Sequence, residues 1–277
     1  MRRFVGVAIA AGFLLAAAVH AEDKVAEASM LVTGKVELNT DGSVHSYTLD
    51  KQDKLPAPVI DLAKRNVGSW KFQFASTPDS VITETMSMRI VAKNTDGKHM
   101  TLAIAGVQFE DGTGVDDTIH SITRPPPLFP SYSLHNGISG RVYLLVEVGR
   151  DGKVANVSAE QVNLRQSYAQ TNMAVFRKDL TDAAIKTIRQ WTFSTPTKGK
   201  WVDSPSWLVR IPVNFHIRNE NLDVNDGDDY GSWEIYMPGP RMDVPWLSDK
   251  RLIADAADTT PDGTTHQLGA SPQLASP

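Results

Sequence analysis

The sequence predicts an α+β protein of two tandem units, each a small antiparallel sheet (a hairpin plus a third strand) packed by one helix. Three observations lead there. Alternating stretches flank Asp-Gly turns in "VELNTDGSV" (36–44) and "VEVGRDGKV" (146–154), and Asp-Gly signals a hairpin because glycine reaches positive φ without steric cost. Each hairpin leads through an amphipathic stretch into a Trp-x-Phe, Trp70-Lys71-Phe72 and Trp191-Thr192-Phe193. An Arg-Ile pair then follows each Trp at the same interval of 19 residues, Arg89-Ile90 and Arg210-Ile211.

The N-terminal residues 1–21 have the three parts of a cleavable export signal: Arg2 and Arg3, an apolar run from Phe4 to Val19, and the small-residue site Val19-His20-Ala21. The run of 16 residues is short of the ~20 that span a bilayer comfortably. An uncleaved anchor is the alternative, and Glu22 as the first mature residue would separate the two. The chain has no cysteine. An exported fold of this kind rests on an apolar core rather than disulfides, and thiol chemistry is excluded. A net charge of −4 gives no basic field to recruit nucleic acid.

Residues 22–30 are polar and read as loosely held. The first unit, 31–109, opens with Val36 and Leu38 on one face before the turn and Val44, Tyr47 and Leu49 after it. Val59, Leu62, Ala63, Val67 and Trp70 recur near the helical period. Two strands around the Asn94-Thr95-Asp96-Gly97 turn complete it. Residues 110–124, the start of a stretch to about 131 that is rich in Gly, Asp and Pro, read as a linker without regular structure. The second unit, 125–218, has strands at 140–148 and 153–162, a polar insert at 163–175, a helix at 177–190 and a strand at 205–217. Pro212 in that last strand points to a sheet edge or a bulge. Residues 219–277 form an acidic, then Pro-, Ser- and Thr-rich tail, packed in part through Trp233, Tyr236 and Trp246 and otherwise disordered.

Aligning the turns places Val36, Glu37, Asp41, Gly42 and Val44 on Val146, Glu147, Asp151, Gly152 and Val154. The turn-to-Trp intervals differ by 11 residues, which the insert absorbs. Duplication of one small unit is the reading.

No catalytic or metal motif stands out. The seven histidines include no i, i+4 pair, so they read as surface imidazoles. "DVNDGDDYGSWE" offers Asp223, Asn225, Asp229 and Glu234 at calcium-loop positions, but Gly227 falls one place early; a solvated acidic linker is expected. No nucleophile elbow or phosphate loop occurs, so no enzyme and no cofactor is expected. Trp70 and Trp191 read as core seams. Arg89 and Arg210, opposite Ile90 and Ile211, read as solvent-facing charges that screen an edge, or alternatively as groups that order an acidic partner peptide.

From 125 to 217 the order of motifs resembles the C-terminal domain of TonB-type energy transducers. Pro127, Phe129 and Pro130 occupy its Pro-x-Tyr-Pro positions; Gly137, Gly140 and Val142 match its Gly-x-x-Gly-x-Val. Asp151, Gly152 and Val154, then Asp182, Ala183, Ala184, Trp191 and Phe193, and last Val213 with Phe215, follow in the family's order. Residues 34–92 look like a degenerate copy. Phe129 replaces the Tyr and Ser133 the small Ala, "VNLRQSYAQTNMAVF" stands where Ser-Ser-Gly often follows, and neither a motor-contacting helix nor a long Pro-rich spacer is seen.

The resemblance implies a periplasmic protein-interaction module that adds an extended segment of a cell-envelope protein, such as an outer-membrane receptor, to a sheet edge. The expected partner site is Phe129, Pro130, Arg210, Val213 and Phe215, on and beside strand 206–217. The alternatives are an envelope enzyme or small-ligand protein with a site between the units, or an anchored transducer.

Overall fold

The computed structural model describes residues 26–74, 77–94, 99–111, 116–199, 201–217, 230–247, 266–267 and 273–274. The first sheet is organised on β1 (Glu27–Leu38), paired antiparallel along its whole length with β4 (Ile82–Asn94). On its other side β1 pairs with β2 (Val44–Leu49) through the Asp-Gly hairpin, and at its N-terminal end with β11 (Glu234–Tyr236). β5 (Met100–Asp111) is the terminal strand beyond β4. Helix α1 (Ala57–Asn66) starts with Pro58 in its first turn, where a missing amide hydrogen costs nothing. It buries Val59, Leu62 and Ala63 against Val32, Val36, Met86 and Met88.

The second sheet repeats this arrangement. β7 (Gly140–Gly149) is flanked by β8 (Val154–Leu164) and β10 (Ser206–Phe215). Helix α3 (Gln170–Ile188) lays Met173, Phe176, Leu180, Ala184 and Ile188, spaced three and four apart, over Val142, Leu144, Val146 and Ile211. A short helix α2 (Ser131–His135) is tied to α3 by Asp179, whose carboxylate accepts from the Ser133 amide at 3.0 Å and its hydroxyl at 2.6 Å. The α+β class expected from the pattern is the one observed.

The two Asp-Gly turns are built alike. Gly42 and Gly152 have φ of +80° and +71°. Their carbonyls accept the amide hydrogens of Phe72, in β3 (Phe72–Gln73), and Phe193, in β9 (Thr192–Ser194), both at 2.8 Å. A Cβ at either glycine would run into the carbonyl oxygen of that same phenylalanine. The Trp-x-Phe of each unit is thus pinned to its own hairpin turn.

Several expectations are corrected. Residues 27–30 are not loose: they begin β1, with Ser29 and Met30 buried. Residues 120–123 of the expected linker form β6 (His120–Thr123), paired with β9. Helix α3 begins inside the polar insert, at Gln170. Beyond residues 234–247, where Trp233, Tyr236 and Trp246 already pointed to packing, β12 (His266–Gln267) and β13 (Gln273–Leu274) pair with β10 and β3. Counted from the turns, Leu145 corresponds to Lys35, yet Leu145 faces Arg210 while Lys35 faces Thr85. The equal Trp-to-Arg interval therefore does not set Arg89 and Arg210 at equivalent positions, because the second unit takes a longer path from its Trp to the third strand. The export signal, most of the calcium-like stretch and most of 248–277 lie outside the described residues.

Candidate functional site

Strand alternation puts odd-numbered β10 residues under α3 and even-numbered ones on the helix-free face. Val213 and Phe215 are accordingly buried in the second core, and the Phe129 ring meets Phe215 edge-on at 5.5 Å. Pro130 sits at the N-cap of α2. The structure thus brings Phe129 and Phe215 together at one end of β10 with side chains turned inward, and Pro130 follows Phe129 as the start of α2.

Arg210 is not a solvent-facing charge. Its Nε and a terminal nitrogen donate to both oxygens of Glu160 at 2.6 and 2.8 Å, with both side chains at most 3% exposed. Arg89 is also buried, donating to Ser29 Oγ at 3.2 Å. The alternation correctly put both arginines opposite the helix-packed cores. The expectation failed because those helix-free faces are covered too.

The cover is a strap of residues 234–247. It begins as β11 on β1, then Met237 exchanges two main-chain hydrogen bonds with Leu164 at the outer margin of β8. The Gly239 amide donates to Asn163 Oδ1 at 3.1 Å, the Met242 amide to the Glu160 carbonyl at 2.9 Å, and Trp246 Nε1 to Ser158 Oγ at 2.8 Å. Val244 and Leu247 close over Leu145. The β8 margin is therefore covered. The β10 margin pairs with β12 at Val209 and Arg210.

Where the helix-free faces of the two sheets meet, residues 230–233 and the strap's first residue, Glu234, line a cleft of about 580 Å³, together with Leu31 and Arg89 from one unit and Arg141, Asn214 and His216 from the other. Glu234 bridges Arg141 at 2.9 Å and Arg165 at 3.0 Å. Tyr230 Oη accepts the Thr33 amide hydrogen at 3.1 Å and donates to the Thr33 carbonyl at 3.2 Å. Sequence reasoning missed Glu160, Arg141 and Arg165 and weighed Glu234 only as a calcium-loop ligand; the odd-numbered position of Arg141 on a strand with an even-numbered core face was the available signal.

Burial pushes the Glu234 carboxyl up, and Arg141, Arg165 and Arg89 more than offset it, leaving it below the usual glutamate value. A carboxylate whose folded pKa is depressed contributes stability above its unfolded pKa and loses it as pH falls through the folded one. Attachment of the strap to the cleft is expected to weaken as pH falls below the ordinary glutamate range. The check is an acid titration of tryptophan fluorescence in wild type and Glu234→Gln, in which the variant should lack the transition.

The fold is that of an α+β protein, mostly antiparallel sheet with few helices. The chain is 33% identical over 104 residues to "Protein TonB" from Xanthomonas campestris pv. campestris, in strain B100 and in a second strain alike. The match takes in 38% of this chain and 40% of each relative, so this chain spans well under half of those proteins. No family profile matches the chain, and no solved structure does. The likeness supports a TonB-like C-terminal domain within part of the chain.

Proposed function

We propose that the chain is an exported, periplasmic protein-interaction module of the TonB C-terminal type, built from two tandem copies of one α+β unit. It binds an extended segment of a cell-envelope protein, such as an outer-membrane receptor, by strand addition at β10, and it is not an enzyme. The observation that supports this reading is β12. A segment of the chain's own tail already adds antiparallel to the outer margin of β10 at two positions, so that margin accepts a strand. The remainder of the ten-residue β10 offers a longer guest more main-chain hydrogen bonds, each worth a net ~0.5–1.5 kcal/mol. Phe129 and Pro130 shape the end of the groove. Arg210, Val213 and Phe215 contribute main chain to it, their side chains being turned inward.

β12 then acts as a resident strand that a guest must displace. Replacing residues 264–269 by a Gly-Ser stretch is expected to raise capture of envelope protein severalfold in pull-down from an envelope extract. A free peptide of the sequence TTHQLG (264–269) should compete with that capture. Unchanged capture together with no competition would remove β10 as the docking margin. A second reading, ligand binding between the units, is favoured by one observation: the contact there is a polar cleft with convergent charges rather than a dry apolar seam.

A further inference from the structure

The cleft between the units has the size of a small-ligand site, about 580 Å³. Among the described residues its lining carries three guanidiniums, Arg89, Arg141 and Arg165, beside His216 and a single carboxylate, Glu234. Arg89 is 3% exposed and Arg141 8%, so bulk water screens their charge poorly. Arg165 Nε is buried and donates to no partner.

Glu234 shows what chemistry the cleft accepts. Its two oxygens lie 2.9 Å from Arg141 and 3.0 Å from Arg165, so a separate guanidinium holds each oxygen through a charge-assisted bond. It is delivered by an extended strand, β11, paired with β1 at Ser29 and Glu27. Beyond that pairing Leu31 reaches the cleft wall. Leu31 shares the strand parity of Ser29 and of Thr33, whose main-chain groups bond to Tyr230 and Asp50 on that side. Strand alternation therefore turns the Leu31 main chain toward the cleft as well.

We propose that this cleft is a binding site for a carboxylate-bearing extended peptide, its carboxylate seated against Arg165 and Arg89 and its backbone alongside Leu31. The site uses residues from both units and the strap, and it stands apart from strand addition at β10.

The test is isothermal titration calorimetry of the full chain at low salt with three probes: acetyl-Ala-Ala-Glu as the free acid, the same peptide with both carboxyls amidated, and inorganic phosphate. The free acid should bind, the amidated form should bind at least about tenfold more weakly, and phosphate should bind more weakly than the acid. Arg165→Gln should lose about tenfold in affinity for the acid, and Glu234→Gln, which removes the internal competitor, should gain severalfold. Arg165→Lys keeps the charge without the guanidinium's planar set of donors and should weaken binding, which keeps the test intact if Arg165→Gln does not fold. Equal binding of acid and amide, or no change in either Arg165 variant, would overturn the proposal. Tighter binding of phosphate would overturn the peptide assignment. Replacing residues 264–269 should leave these affinities unchanged, so failure here is distinct from failure at β10.

Discussion

Glu160→Ala is expected to destabilise the protein by about 3–5 kcal/mol, because it strands a buried guanidinium without its counter-charge. Arg210 and Glu160 form a two-pronged pair at 2.6 and 2.8 Å, with side chains 3% and 2% exposed. Neither group has water to fall back on. The Glu160 carbonyl also holds the strap through Met242, and that main-chain bond survives the substitution. Swapping both partners for apolar residues of similar volume, Arg210→Met with Glu160→Leu, should be far milder than either single change, since a buried ion pair mostly offsets its own desolvation. Urea unfolding of the two single variants and the double variant checks this as a cycle. Single-variant losses under about 1 kcal/mol, the range of exposed pairs, would mean that the pair is solvated in solution.

Gly152→Ala should cost about 2–4 kcal/mol, the sum of left-handed backbone strain and a damaged hydrogen bond. Gly152 has a φ of +71°, and its carbonyl holds the Phe193 amide at 2.8 Å. A methyl group there collides with the Phe193 carbonyl oxygen, which is backbone and cannot swing aside. Gly42→Ala meets the same obstacle at Phe72 and should cost a similar amount. Gly137 separates the two terms: its φ is +68°, yet nothing lies within 4 Å of an added Cβ. Its alanine variant should show the strain alone, about 1–2 kcal/mol. Chemical denaturation of the three variants reads these values. A Gly152→Ala cost no larger than that of Gly137→Ala would show that the Trp-x-Phe strand gives way without penalty.

The hairpins, both long helices and the third strands were legible because each carries a period of its own and a turn glycine with a physical task. The inward faces of Val36, Leu38, Val213 and Phe215 follow from alternation alone. What lies on the helix-free faces was not legible. The strap from Glu234 to Leu247 has neither a helical nor a strand period, and it is held by long-range bonds to Asn163, Glu160 and Ser158. Its trace in the sequence was the cluster Trp233, Tyr236 and Trp246, which marks packing without saying against what. The burial of Arg89 and Arg210 follows from that cover, and so does the cleft. The shared Trp-to-Arg spacing shows the opposite hazard. An equal interval in sequence led to unequal rungs in the ladder, because connection length and register vary independently.

The strap leaves one sheet's central strand and ends over the back of the other. A fragment that stops after Phe215 would open Leu145 and the Arg210–Glu160 pair to water and strip the β8 margin of its partner. The two halves are therefore laced into one body, and they should melt together in a single calorimetric peak. A protease nick within residues 237–242 should split that peak in two.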